Sequence, residues 1–183
     1  LDADRREVQR MRSVVCLKPG ETRTCVGCHE PRTTAPPVLR ASATGRPATE
    51  PTQMPWGDRV MSYLRDVQPV LNARCIQCHS FSRDTNAVIL TEDLTDQFCV
   101  SYEELVPYLS VANAMRWDHP EDVLPRPAYT YGSRVSPLMK LLDAGHYGVE
   151  LSQEEQDRLA TWTDANGVYY DPTSPPTVTP DAS

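Results

Sequence analysis

One pentapeptide pattern occurs twice in this chain and constrains it more than anything else. It stands in "TCVGCHE", Thr24 to Glu30, and again in "RCIQCHS", Arg74 to Ser80. Each copy has two cysteines three apart and a histidine directly after the second. Four of the six cysteines and two of the four histidines sit in these copies, so their chemistry dominates the chain's reactive residues. The spacing has a covalent reason. Two intervening residues let one helical turn present both thiols to the two vinyl groups of a haem edge, where they form thioethers. The next residue brings an imidazole under the iron. The pattern is the attachment site of c-type haem, so Cys25, Cys28, Cys75 and Cys78 are read as the covalent anchors. His29 and His79 are read as the proximal ligands.

Three other readings compete. A thioredoxin-like redox pair needs a βαβ context, and none is visible around either copy. A Cys₄ zinc ribbon could draw on both pairs. Its spacing here is longer than usual, and it leaves the histidine after each pair unexplained. Coincidence is the third, and the twofold occurrence argues against it. Composition points the same way. With 17 prolines and only two phenylalanines in 183 residues, a core of side chains alone would be thin, and a cofactor would enlarge it. The net charge of −7 disfavours nucleic acid as a partner. It suits docking on a basic one.

Periodicity gives a mainly α chain. Val14 and Val15 favour a short N-terminal strand. Residues 30–57, rich in Pro, Thr and Ala, read as an irregular wrap. From Asp58, a candidate N-cap, the residues Val60, Tyr63, Leu64, Val67 and Leu71 recur at helical spacing, with Pro69 expected to kink the helix. A second helix is expected from Ser101 as cap, with Glu104 completing a capping box and Pro107 as its break. A third runs from Ser136 and Pro137 to Gly145. The clearest begins at Ser152, carries Leu159 and Trp162 on one face, and stops at Asn166-Gly167. This divides the chain into a loop-rich haem-binding segment (1–55), a haem domain (56–170) and a disordered tail (171–183). No run approaches the roughly 20 apolar residues of a bilayer span. No signal peptide stands at the start.

Around the second motif, residues 56–170 resemble the cytochrome c fold: an amphipathic helix leads into Cys-x-x-Cys-His, and a C-terminal helix with a central aromatic, Trp162, packs across it. A longer likeness runs through "MRSVVCLKPGETRTCVGCHEPRTTAPP", the segment from "PWG" to "SYLRDVQPVLNARCIQCHS", and "YTYGSRVSPLMKLLDAGHYGVELSQEEQDRLATWTDANGVYY". These resemble the dihaem C-terminal region of hydrazine synthase α-subunit-like proteins, a large planctomycete-type family whose full-length members commonly carry a β-propeller-like region ahead of the haems. The resemblance implies two covalent haems and an extracytoplasmic protein. It also implies that "LDADRREVQRMRS" corresponds to the end of a preceding part, with this chain a fragment, a cleaved product or a reduced relative. It does not carry over the reaction. In the synthase a tyrosine four residues after the first motif histidine is an axial ligand, and that position here is Thr33.

Each iron needs a sixth ligand or keeps an open site. His146, in "DAGHYGVELS", is the candidate for the second haem, and the resemblance implies the same role. His119 is the candidate for the first, with Met54, Met61, Met115 and Met139 as alternatives; Met61 and Met139 sit where helix cores are expected. Cys16 and Cys99 are left over. In an oxidising compartment they suggest a disulfide, against two buried thiols or a bond to another chain. Haem attachment to this motif in bacteria takes place outside the cytoplasm, so a periplasmic or similar location is expected. The expected function is electron relay among redox partners or subunits of a larger complex. The alternative is a haem enzyme with an open first iron, of hydrazine synthase-like or peroxidase-like chemistry.

Overall fold

The computed structural model describes residues 1–10, 16–21, 33, 45–47, 50, 52–82, 87–112 and 126–170. Its regular structure is helical. There are four short α-helices among the described residues: α1 (Gln68–Arg74), α2 (Val100–Leu105), α3 (Pro137–Asp143) and α4 (Gln153–Asp164). A π-helical turn, Tyr63–Val67, leads into α1, and 3₁₀ turns at Val106–Tyr108 and His146–Gly148 follow α2 and α3. No strand forms among the described residues; Leu94 and Cys99 make an isolated antiparallel bridge. The strand expected at Val14 and Val15, most of the Pro-rich stretch and the tail lie outside the described residues.

α4 forms as its sequence dictates. Ser152 accepts from the Glu155 amide, and the Glu155 carboxylate accepts from the Ser152 amide, so two of the amides orphaned at the helix start are satisfied. The helix ends where Asn166 and Gly167 take positive φ of 65° and 64°. At Gly167 a Cβ would lie 2.8 Å from Leu109 Cδ1, which would have to move aside, so it is the positive φ that favours glycine there. α3 starts at Pro137 and stops before Gly145, as expected. Its flanking Ser136 does not cap it; the hydroxyl donates to the Gly132 carbonyl and accepts from the Ser110 amide instead.

Two expected starts move. The first helix does not begin at Asp58, because residues 58–62 are not helical and the π turn starts only at Tyr63. Pro69 lies in the first turn of α1, where its missing N–H costs nothing, so it opens a helix rather than kinking one. The shift leaves Tyr63, Val67 and Leu71 inside, while Val60 and Leu64 are exposed. α2 starts two residues early, with Cys99 as its N-cap position. Ser101 is fully buried, and its hydroxyl donates to Gln68 Oε1 and accepts from Tyr63 Oη. Tertiary partners thus took the hydroxyl that local pattern assigned to a cap. Pro107 ends α2 as expected, inside the 3₁₀ turn.

The core gathers Tyr63, Val67 and Leu71 with Met139, Leu159 and Trp162. Met61 and Met139 are buried in it, as their positions suggested. Tyr63 is its aromatic centre, with ring centroids 5.1 Å from Trp162, 5.1 Å from Tyr102 and 5.7 Å from Tyr169. Such pairs add to the area they bury. The Cys16–Cys99 bridge is absent. Both thiols are free, Cys16 exposed and Cys99 sealed in the core beside Ser101. A bond would have to carry Cys16 into packed interior or draw Cys99 out of it.

Asp66, fully buried, ties the π turn to α4. Its carboxylate accepts from the Ser62 amide at 2.8 Å, from Arg59, and from Arg158 of α4 at 3.0 Å. Burial alone would raise its pKa; the Arg59 bonds, the Ser62 amide and the charge of Arg65 outweigh that and hold it below the ordinary 3.8. A depressed folded pKa means stability that is complete above the unfolded value and lost as pH falls through the folded one. Asp66→Asn should therefore flatten the acid limb of a plot of urea midpoint against pH. Asp66→Ala should cost about 2 kcal/mol by removing the buried acceptor shared by the Ser62 amide, Arg59 and Arg158. An acid limb unchanged in Asp66→Asn would contradict this account.

Candidate haem site

The second motif hangs directly from α1. The Cys75 amide donates to the Leu71 carbonyl at 2.8 Å, and the Cys78 and His79 amides donate to the Cys75 carbonyl at 3.0 Å each. Cys75 and Cys78 therefore sit on one turn, the arrangement that double attachment requires. Cys75 is half-buried and Cys78 exposed. Burial, with the nearby Glu155 carboxylate and Cys78 adding to it, pushes the Cys75 thiol up to about 11.

His79 is oriented by the loop that follows it. Its Nδ1 lies 2.9 Å from the Val88 carbonyl, and the Leu90 amide donates to the His79 carbonyl at 2.8 Å. A carbonyl can only accept, so Nδ1 carries the hydrogen and Nε2 keeps its lone pair free for a metal. Opposite stands His146, 67 positions further along the chain. The two ring centroids are 5.9 Å apart and the planes 32° from parallel. Two imidazoles sharing a metal between them, with metal–nitrogen bonds of roughly 2 Å, have centroids roughly 6 Å apart. The spacing is compatible with both rings reaching one metal ion. Next to the turn that carries His146 is a cavity of about 450 Å³, with Met139, Leu142, Val149 and Leu151 as its apolar wall and Asp143 and Gln156 among its polar groups. Cys75, Cys78, His79 and His146 do not line it.

The turn presenting His146 is unusual backbone. Gly145 and Gly148 have φ of 83° and 75°, and Tyr147 between them has φ 46°. A bulky residue there is an outlier that its surroundings must hold. Tyr147 is 95% exposed, its ring edge-on to that of His146 with centroids 4.9 Å apart, while His146 is half-buried. No group of three or more His, Cys, Asp or Glu side chains gathers as a metal site among the described residues. The first motif, Cys25, Cys28 and His29, and the candidate ligand His119 lie outside the described residues.

Residues 2–10 form an arm that reaches the same lobe. Arg6 grips Asp143 at the end of α3, Arg5 pairs with Asp157 of α4 at 2.6 Å, and the Glu7 amide donates to Asp164 at 3.0 Å. A family model described as the hydrazine synthase alpha subunit middle domain matches residues 1–30. The matched stretch contains this arm and reaches His29, the histidine of the first motif. Comparison with curated proteins and with solved structures gave no match. The resemblance to hydrazine synthase α proteins is thus found over the first 30 residues.

Sequence reasoning missed two partners of the second motif. Arg74, just before Cys75, forms a two-pronged ion pair with Glu155, at 2.9 and 3.1 Å. This ties the motif to the capped end of α4. The Ser-x-x-Glu spacing of Ser152 and Glu155 was a readable signal for the cap, but nothing local marks Arg74 as its partner. The Val88 carbonyl was equally invisible, since backbone acceptors carry no side-chain signature.

Proposed function

We propose that the chain is a dihaem c-type electron-transfer module of a larger extracytoplasmic redox assembly. The observation that carries the reading is the facing pair His79–His146, with His79 fixed through Nδ1 and Cys75 and Cys78 on the preceding turn. In this reading Cys75 and Cys78 anchor the second haem by thioethers, and His79 and His146 ligate its iron. Cys25, Cys28 and His29 do the same work for the first, with His119 the candidate sixth ligand. The haem supplies a one-electron couple; an iron with protein ligands on both sides passes electrons without binding substrate. The Val88 carbonyl raises the basicity of His79 and fixes its plane. The core around Tyr63 and Trp162 is the cytochrome c-like part of the lobe. No helix among the described residues is long and apolar enough to cross a membrane, which is compatible with such a module.

The alternative reading keeps the first haem open on one side for chemistry on a small molecule. One set of measurements addresses both. Acid–acetone treatment of the haem-loaded protein should leave the colour with the polypeptide. The reduced protein should then take up no carbon monoxide. Colourless protein, or haem that extracts, would overturn the reading. Uptake by wild-type protein with the second haem spectrally unchanged would move the assignment to the enzyme.

A further inference from the structure

We propose that the N-terminal arm positions His146, with Arg6 as the residue that does it, a role that rests on the haem reading above. Arg6 donates from Nη1 and Nη2 to the two oxygens of Asp143 at 2.5 and 2.7 Å, a two-pronged geometry, and its side chain is 9% exposed. Asp143 is the last residue of α3 and stands three residues before His146. A carboxylate is unfavourable at the negative end of a helix, and the guanidinium offsets it.

Between Asp143 and His146 the chain has little freedom. The Ala144 amide donates to the Lys140 carbonyl at 3.1 Å, the Gly145 amide to Leu142 at 3.0 Å, and the Val149 amide to His146 at 2.9 Å. The turn then passes through the strained Tyr147. A displacement of the α3 end is therefore passed to the imidazole rather than absorbed before it.

The arm is seated at several other points, so Arg6 is not a stray surface contact. Arg134 binds both Asp2 and Asp4, and the Tyr129 amide donates to the Val8 carbonyl at 2.7 Å. Glu7 lies so close over Gly132 that a Cβ there would come within 2.7 Å of its Oε2. The arm thus links the stretch that leads to the first motif with the ligand geometry of the second.

The test uses the full haem-loaded chain and carbon monoxide as probe, with the second haem read by its spectrum. Arg6→Glu should raise the fraction of second haem that binds carbon monoxide roughly tenfold over wild type. Combining Arg6→Glu with Asp143→Arg should restore the wild-type spectrum. A merely structural role would lower the urea midpoint and leave the spectrum alone. If Arg6→Glu does not accumulate, Arg6→Lys carries the test: it keeps the charge but loses the fork, so a smaller rise is expected and none would overturn the role. Failure of the charge exchange to restore the spectrum would overturn it as well. If His146→Ala opens the iron while Arg6→Glu does not, the positioning role falls alone. If the protein is colourless, or its spectrum ignores His146→Ala, the haem reading falls and the positioning role with it.

Discussion

His146→Ala is expected to convert the second haem from a closed, low-spin centre to a high-spin one that binds carbon monoxide when reduced. The imidazole ring stands 5.9 Å from that of His79, centroid to centroid, and in the proposed reading the two ligate one iron. Without it, only water or a weaker ligand can reach that side, so the reduction potential should rise. The fold should suffer little. His146 is half-buried in a surface turn, and the core around Tyr63 does not depend on it. The measurement is a pair of reduced spectra with and without carbon monoxide, alongside a redox titration. A mutant with unchanged spectrum and potential would remove His146 from the site.

Trp162→Ala is expected to cost about 4 kcal/mol, the middle of the range for a buried aromatic. Trp162 is completely buried, its ring lies 5.1 Å from Tyr63, and its Nε1 donates to the Val168 carbonyl at 3.0 Å. Truncation leaves a void and an unpaired carbonyl together. Against a typical stability of about 5–15 kcal/mol, that is a large fraction. The damage should reach the site, because the π turn that carries Tyr63 runs straight into α1 and the second motif. Urea unfolding of wild type and mutant measures the loss. A difference under about 1 kcal/mol would show that the site relaxes around the gap and that the Tyr63–Trp162 contact is not central.

The elements that could be read in advance share one property: their determinants are local. The cap and stop of α4 lie within or next to its own residues, so Ser152, Asn166 and Gly167 could be placed from sequence. The same holds for Pro137 at the start of α3 and for the break at Pro107. The errors share the opposite property. Ser101 looked like a cap and is instead the buried link between Tyr63 and Gln68. Asp58 looked like a helix start, but the chain is not helical before Tyr63 and the buried Asp66 reaches back to the Ser62 amide. Cys16 and Cys99 looked like a pair because they were left over, yet one faces solvent and the other the core.

The sequence by itself determined the helical character of the described residues and the position of the second Cys-x-x-Cys-His at the end of a helix. Each depends on residues within a few positions of one another, where side-chain type and backbone preference decide the outcome. Only the tertiary structure decided which residues face the second motif. It brought His146 opposite His79, bound Arg74 to Glu155, aimed His79 at the Val88 carbonyl and seated Arg6 on Asp143. Three of these four contacts join residues 67 or more positions apart, and the fourth is made by a backbone oxygen that no side chain announces. They are fixed by how the π turn, α1, α3 and α4 close around Tyr63 and Trp162, and that closure is a property of the packed chain rather than of any segment of it.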